Sequence, residues 1–171
     1  MAAKPLRLDP HRHAAFQIVT LANRISTSAS QAYLRHFGIG VMEWRALAHV
    51  ARKPGIAANE IAQLSGLDKS SVSRAVAALI RKGDVSAAED PADNRRSLLT
   101  LTPAGETLHD RVIVASLERE RLLLQGLSAD ERRNLFALMA RLAANMDLVD
   151  DHTAERLRVR HLGGVAQKDY I

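Results

Sequence analysis

The chain has 171 residues, a length that suits one domain or one compact module with extensions. Its 24 Lys and Arg residues exceed its 19 Asp and Glu residues, and the net charge of +5 permits an anionic partner without requiring one. Cysteine is absent, which excludes disulfides, thiolate zinc sites and cysteine redox switches. No apolar stretch approaches the ~18 residues of a membrane span, and the N-terminus lacks a secretory pattern. We therefore expect a cytoplasmic protein that does not bind membranes.

Two helices are predicted before Pro54-Gly55. Asp9-Pro10 combines an N-cap with a residue suited to the first helical position, and predicts a helix from there to about His36. A shorter helix, from about Val41 to Arg52, turns Trp44, Leu47 and Ala48 inward. The apolar stripe of the first helix consists of Ile18, Ala22, Ile25, Ala29, Ala32 and Tyr33.

Residues 57–79 have the pattern of a helix-turn-helix. Ala62 is small enough for two helices to cross closely, Gly66 suits a left-handed turn, and Val72 points back into the angle. The same apolar seam includes Ile61, Leu67 and Ala75. An ordinary helical hairpin within a core is the alternative.

The second helix of this motif is predicted from Lys69 to Lys82, with Asp68 as its N-cap and Gly83 as its stop. Its helical phase turns Val72, Ala75, Val76 and Leu79 inward. The other face presents Lys69, Ser70, Ser71, Ser73, Arg74 and Arg81. Small hydroxyls at a helix start leave room to approach base edges and phosphates, and an arginine one turn later can contact a guanine. This face therefore predicts DNA contacts, although any solvated polar face would look similar.

A hairpin is predicted next, with a strand at Val85–Glu89, a turn at Asp90–Arg95 and a returning strand at Arg96–Leu101. A hairpin in this place is the wing of a winged helix. Arg95 would lie at its tip and could enter a minor groove, with Arg96 adding positive charge. Asp93 would orient Arg95 or cap the turn. A surface hairpin with ordinary solvated charges is the alternative.

Two long helices are predicted after the wing. Thr102-Pro103 begins one that runs to about Leu124, with Leu108, Val112 and Ala115 on one face. The capping box Ser128–Glu131 begins the other, whose apolar side includes Leu135, Leu138, Met139, Leu142 and Met146. A winged helix is too small to cover every terminal helix, so these must bury each other or a second chain.

Several of these motifs resemble the MarR family of bacterial transcription regulators, over roughly residues 15 to 148. The resemblance lies in Gly40-Val-Met-Glu-Trp-Arg-Ala-Leu47, Asn59-Glu-Ile-Ala62, Lys69-Ser-Ser-Val-Ser-Arg74, Leu79-Ile-Arg-Lys-Gly83, Asp90-Pro-Ala-Asp-Asn-Arg95 and Leu101-Thr-Pro-Ala-Gly105. It implies a homodimer of interlocked terminal helices, whose two recognition helices bind a palindrome about one helical turn (~34 Å) apart. The chain departs from the family at Ala57, where a Ser or Thr cap is common, and in its tail after Val149.

The resemblance also implies that a small, often anionic aromatic compound binds between the dimer helices and the winged helix. The residues that helical phase places nearest that junction are Tyr33, His36, Trp44, Arg45, His49 and Arg111. Arg45 or Arg111 could pair with a carboxylate and Trp44 could stack on an aromatic ring. Structural packing is the competing explanation for each residue taken singly.

Other functions find little support in the sequence. No two of the seven histidines stand at i, i+4, and His11 and His13 point to different helix faces, so no metal site is predicted. No nucleophile–base pair or cofactor fingerprint is present, so neither an enzyme nor a cofactor is expected. The tail at 150–171, with Arg156, Arg158 and Arg160, suits extra phosphate contacts or, more simply, a solvated or dimer-packing segment.

The sequence thus predicts a mainly α fold with a small β-hairpin wing, a winged helix-turn-helix with terminal dimerisation helices. The predicted segments are a dimerisation helix at 9–37, the DNA-binding domain at 38–102, dimerisation helices at 103–149 and the tail. The predicted function is a homodimeric regulator, a repressor, bound to double-stranded DNA in the nucleoid. A winged-helix interaction module and a non-specific DNA-compacting protein are the alternatives.

Overall fold

The computed structural model describes residues 7–149, except for the side chains of Asn94 and Arg95. In this range the chain forms six α-helices, one short 3₁₀ helix and a two-stranded antiparallel sheet. This composition confirms the predicted fold class. The chain divides into two compact units, one of residues 9–119 and another that includes residues 120–149. The predicted tail at 150–171 lies outside the described residues.

The N-terminal region is two helices, and the prediction of one continuous helix from Asp9 was wrong. A 3₁₀ helix spans Pro10–Arg12, and α1 spans Ala14–Phe37. The Asp9 carboxylate accepts a hydrogen bond from the His11 N–H at 2.9 Å and so caps only the short turn. His13 then has extended backbone, with φ −102° and ψ 112°, which interrupts the helical hydrogen-bond ladder.

The next three helices form the helix-turn-helix region, with α2 at Val41–Arg52, α3 at Ala58–Ser65 and α4 at Lys69–Lys82. The predicted bounds of α2 and α4 are confirmed. Ala57 precedes α3 without a side-chain capping bond, as its methyl side chain requires. Gly66 ends α3 with φ 63°, a left-handed conformation that costs glycine little and turns the chain toward α4.

The wing consists of β1 at Val85–Asp90 and β2 at Asp93–Leu101, paired antiparallel from Val85↔Leu101 to Glu89↔Ser97. The predicted six-residue turn was wrong, because only residues 91–92 separate the strands. Pro91 has a φ suited to a tight turn, and the Asp90 carboxylate accepts the Ala92 N–H at 2.9 Å. Beyond the Asp90↔Asp93 pair, residues 94–96 have no opposite partner and form a bulge, so Arg95 lies in the bulge and not in the turn.

One apolar core joins these elements within residues 9–119. Its fully buried side chains include Ile39, Leu47, Val50, Ile56, Ile61, Val72, Leu79, Leu99 and Val112. The wing is tied to this core because Ile56 and Leu99 pair as an isolated bridge, with the Leu99 N–H donating to the Ile56 carbonyl at 3.0 Å. The orientation of the hairpin therefore depends on the segment between α2 and α3.

The last two helices are α5 at Pro103–Leu123 and α6 at Ala129–Ala144. The start of α5 packs closely against Asp84, between α4 and β1, since a Cβ at Gly105 would lie 1.9 Å from the Asp84 carbonyl oxygen. The predicted capping box begins α6, with the Ser128 N–H donating to Glu131 at 2.8 Å. Among the described helices, none combines the length and apolar character that a membrane crossing requires.

Candidate nucleic-acid interface

Helix α4 has one face in the core and one in solvent. Its inward residues Val72, Ala75, Val76 and Leu79 are all buried, as predicted. The side chains of Lys69, Ser70, Ser73, Arg74 and Arg81 are exposed, and that of Ser71 is half-buried. The packed face fixes the helix against the domain, and the exposed face offers cations and hydroxyls along one side.

The N-terminal end of α4 is held by Asp68. Its carboxylate accepts the Ser71 N–H at 2.8 Å and the Ser70 hydroxyl at 2.6 Å. Hydrogen bonds from the Ser70 and Ser71 hydroxyls and from the Ser71 N–H hold the pKa of Asp68 well below its usual value. Asp68 is therefore ionised under ordinary conditions, at the positive end of the helix dipole.

Arg74 lies in the second turn of the same helix, and its side chain reaches back to the first turn. Its Nη1 donates to the Ser70 hydroxyl oxygen at 3.2 Å, and its Nη2 donates to the Ser71 hydroxyl oxygen at 2.9 Å. The predicted site residues Ser70, Ser71 and Arg74 are thus brought together. Arg81 is exposed at the other end of the helix, where a cation can contact a phosphate.

The C-terminal end of α4 is anchored to the loop between α1 and α2. The Lys82 ammonium donates to the Gly38 carbonyl at 2.9 Å and pairs with the Glu43 carboxylate at 2.6 Å. Glu43 also accepts the Gly40 N–H at 2.7 Å. This contact was not predicted, because 39 residues separate Glu43 from Lys82 and no local pattern links them. Because Lys82 is paired with Glu43, Arg81 is the better placed of the two cations to contact a phosphate at this end of α4.

In the wing, Arg96 lies 3.9 Å from the Asp90 carboxylate, measured from Nε to Oδ2. Asp93 stands opposite Asp90 in the register of the hairpin, and it has a further interaction within the chain. Arg95 belongs to the bulge beside them, although its side chain lies outside the described residues. The contacts predicted for Arg95 and Arg96 with DNA, and the orienting role of Asp93, stay predictions.

Of the six residues predicted to line a ligand pocket, five have contacts with other side chains or with the backbone. Trp44 packs against Tyr33 at 6.2 Å between ring centroids and against His109 at 5.5 Å. Arg111 lies over the Phe37 ring, 5.6 Å from its centroid, and Arg45 donates to the Ser65 carbonyl at 2.9 Å. His36 is exposed with its ring near Phe37.

Burial, and then the nearby cations Arg45 and Arg52, lower the pKa of the sixth residue, His49. Two cavities of about 350 and 360 Å³ in the described region are lined by other residues. The cavity of about 350 Å³ lies between α1, the start of α2 and α4, where Ser30, Glu43 and Arg74 contribute to its wall. The ligand assignment of the six residues stays a prediction.

Sequence reasoning missed three residues of this region, Phe37, Glu43 and His109. Phe37 lies under Arg111, Glu43 pairs with Lys82, and His109 lies beside Trp44. A signal existed only for Glu43, which stands three residues after Gly40 in the position of a capping-box acid. Within the described part of the chain, no group of three or more His, Asp or Glu residues could hold a metal ion.

Together, the glycine turn, the buried seam, the exposed cationic face of α4 and the following hairpin define a winged helix-turn-helix domain. A family model described as the MarR family matches residues 37–96. The fold is also similar to the crystal structure of a MarR/EmrR family transcriptional regulator from Acinetobacter sp. ADP1, with 33% sequence identity and a TM-score of 0.77. That similarity covers 82% of this chain and 99% of the other. The chain belongs to the MarR family, as its motifs predicted.

Two further similarities bear on function. The PcaV transcriptional regulator from Streptomyces coelicolor, solved in complex with its natural ligand, is 27% identical with a TM-score of 0.68, over 82% of this chain and 98% of that one. The HTH-type transcriptional regulator BilQ of Clostridium symbiosum (strain WAL-14163) is 28% identical over 94 residues, which is 55% of this chain and 65% of that protein. The chain spans less than two thirds of the length of the curated relatives that it matches.

Proposed function

We propose that the protein is a homodimeric transcription regulator, a repressor, that binds a palindromic operator in double-stranded DNA through α4 and the wing. The observation that carries this proposal is the exposed face of α4, where Lys69, Arg74 and Arg81 project from a helix whose other face is fixed in the core. A rigid helix with hydroxyls at its start and arginines along one side suits a DNA major groove. Family membership supports the same function.

The homodimer is supported by apolar side chains that one chain leaves in solvent. On α1, Phe16, Ile18 and Val19 are each at least half exposed. On α6, Leu138, Met139 and Leu142 are about half exposed. Soluble proteins rarely leave such rows uncovered, and contact with a second copy in a two-fold symmetric dimer is the way we propose that they are covered.

Competition binding tests the DNA function directly. The protein is titrated onto a labelled duplex from the region upstream of its own gene, with unlabelled random duplex as the competitor. An operator-specific regulator prefers the upstream duplex by roughly 10³-fold or more at physiological salt. A DNA-compacting protein binds both duplexes equally, and a protein-interaction module binds neither.

Release by a small aromatic acid is a second part of the proposal. It is supported by the ligand-bound structure of the PcaV relative, and by the position of the cavity of about 350 Å³ between α1, α2 and the recognition helix. A ligand lowers DNA affinity only if it binds better to a dimer whose recognition helices are wrongly spaced. Salicylate-like acids at high micromolar to millimolar concentration are titrated into the protein–operator complex. A shift of less than ~3-fold with every acid, about 0.65 kcal/mol of coupling, would refute this part alone.

A further inference from the structure

A chain of hydrogen bonds at the start of α4 connects four side chains in series. The Ser70 hydroxyl donates its proton to Asp68 at 2.6 Å, and the same oxygen accepts from Nη1 of Arg74 at 3.2 Å. The Ser71 hydroxyl oxygen accepts from Nη2 of Arg74 at 2.9 Å, while its backbone N–H is held by Asp68 at 2.8 Å. Both ends of the guanidinium fork are therefore fixed to the first turn of the helix.

The direction of these hydrogen bonds limits what Ser70 can do. A serine hydroxyl has one proton to donate, and that of Ser70 is directed to Asp68. While this bond persists, Ser70 has no proton to donate to a phosphate oxygen. This argues against the direct contact with DNA that the sequence predicts for Ser70. Its lone pairs, in contrast, are correctly placed to accept from Arg74, because the ionised Asp68 fixes the orientation of the hydroxyl.

Arg74 keeps donors for another partner in this arrangement. A guanidinium has five N–H donors, and two are used by the serines. The remaining donors belong to an exposed group whose position is set before any ligand arrives. Restricting a flexible side chain in its binding position lowers the entropic cost of the contact it makes.

We propose that Ser70 and Ser71, with Asp68 behind them, are positioning residues that hold Arg74 ready for base recognition and do not themselves contact DNA. The inference rests on the proposed function, since it assigns the specificity of that site to one arginine and its support. Ser73 is also on α4, but it is not part of this hydrogen-bond chain.

The test is a double-mutant cycle. Ser70→Ala/Ser71→Ala is compared with the parent protein and with the same change in an Arg74→Ala background, on operator and on random duplex. Alanine is favoured in helices, so α4 is expected to remain folded, and thermal unfolding checks this. We expect operator affinity to fall about 3- to 10-fold, random-duplex affinity and salt slope to stay constant, and no further loss when Arg74 is absent. Ser116→Ala, at a serine of α5 and not of the exposed α4 face, is the matched control and should leave the operator preference unchanged.

An equal loss in the Arg74→Ala background would overturn the proposal, as would a salt slope smaller by about one, because the serines would then contact DNA directly. Unchanged operator affinity would overturn it too. A measurement without DNA separates this inference from the proposed function: the NMR order parameter of the Arg74 Nε–H in the free protein. We expect a value well above the ~0.6 typical of flexible groups, and a marked fall in the double serine variant. A mobile Arg74 in the parent protein refutes the positioning role even if the operator is bound.

Discussion

The recognition helix α4 and the last helix α6 are both amphipathic, yet they differ in what covers their apolar side. On α4, Val72 and Leu79 are 2% and 0% exposed. On α6, Leu138 and Met139 are 53% and 49% exposed in the single chain. The core that covers α4 is therefore complete within one chain, whereas α6 has apolar surface that one chain does not bury. The difference leads us to expect that packing of α4 and assembly of the proposed dimer depend on different residues.

The largest effect is expected from the uncovered face of α6. Leu138→Glu with Leu142→Glu should disrupt the homodimer, because each leucine buried at an interface contributes about 1.5–3 kcal/mol and symmetry doubles the loss. Sedimentation equilibrium should show a dimer dissociation constant raised by at least about 10³-fold. Ala140→Glu with Ala144→Glu, at exposed positions on the opposite face of the same helix, adds the same charge and should leave the dimer intact. A dimer that survives the double change would mean that α6 is not at the interface.

Leu79, a buried leucine of α4, tests the helix whose apolar face is covered. Leu79→Ala should lower the free energy of unfolding by about 2–5 kcal/mol, because the cavity it leaves lies in a packed core. Leu64→Ala is the matched control, since Leu64 on α3 is 63% exposed and its truncation should cost less than about 0.5 kcal/mol. Chemical denaturation measures both. Similar losses at the two positions would contradict the burial pattern that distinguishes α4.

We expect Arg74 to contact bases and Arg81 to contact phosphates from the exposed face of α4. Arg74→Ala should cost about 1–3 kcal/mol on the operator and much less on random duplex, because a guanidinium pairs with guanine in a bidentate manner. Arg81→Ala should weaken both DNAs alike. Fluorescence anisotropy on the two duplexes measures the four affinities. If Arg74→Ala reduces both equally, then Arg74 only contacts the backbone.

The wing should affect DNA binding without affecting assembly. Arg95→Ala should reduce the dependence of log affinity on log salt by about one unit, as expected for one lost contact with the duplex. The dimer dissociation constant should not change, since the wing packs on the winged-helix core through Leu99. An unchanged salt slope and affinity would remove Arg95 from the DNA interface.

The smallest effect concerns pH. Burial, followed by the charges of Arg45 and Arg52, lowers the pKa of His49 in the folded state relative to the ordinary value of 6.5. The folded state then binds fewer protons than the unfolded chain, so the contribution of His49 to stability is complete above about pH 6.5 and is lost as the pH falls below it. His49→Gln should therefore flatten the decline in unfolding free energy between pH 7.5 and 5.5. An identical decline in both proteins would show that His49 titrates normally.

Local chemistry made much of the fold predictable. The bounds of α4 follow from Asp68 and Gly83, and its seam follows from helical period. The contacts of Arg74 with Ser70 and Ser71 were also open to prediction, since i, i+4 and i, i+3 neighbours share a helix face. The Lys82–Glu43 pair was not, because only the tertiary fold brings those residues together. The wing turn was misjudged because the Asp90 side chain closes a tighter loop than turn-forming residues alone suggest.

Selection of binding sites from a library of random duplexes tests the central claim most directly, because it requires both a specific recognition helix and a symmetric dimer. The account predicts that the enriched sequences contain an inverted repeat, with half-site centres about one helical turn, ~10 base pairs, apart. Arg74→Ala should weaken the preference at one position in each half-site. Enrichment of a single unrepeated motif would contradict the dimer, and no enrichment at all would contradict operator recognition by α4.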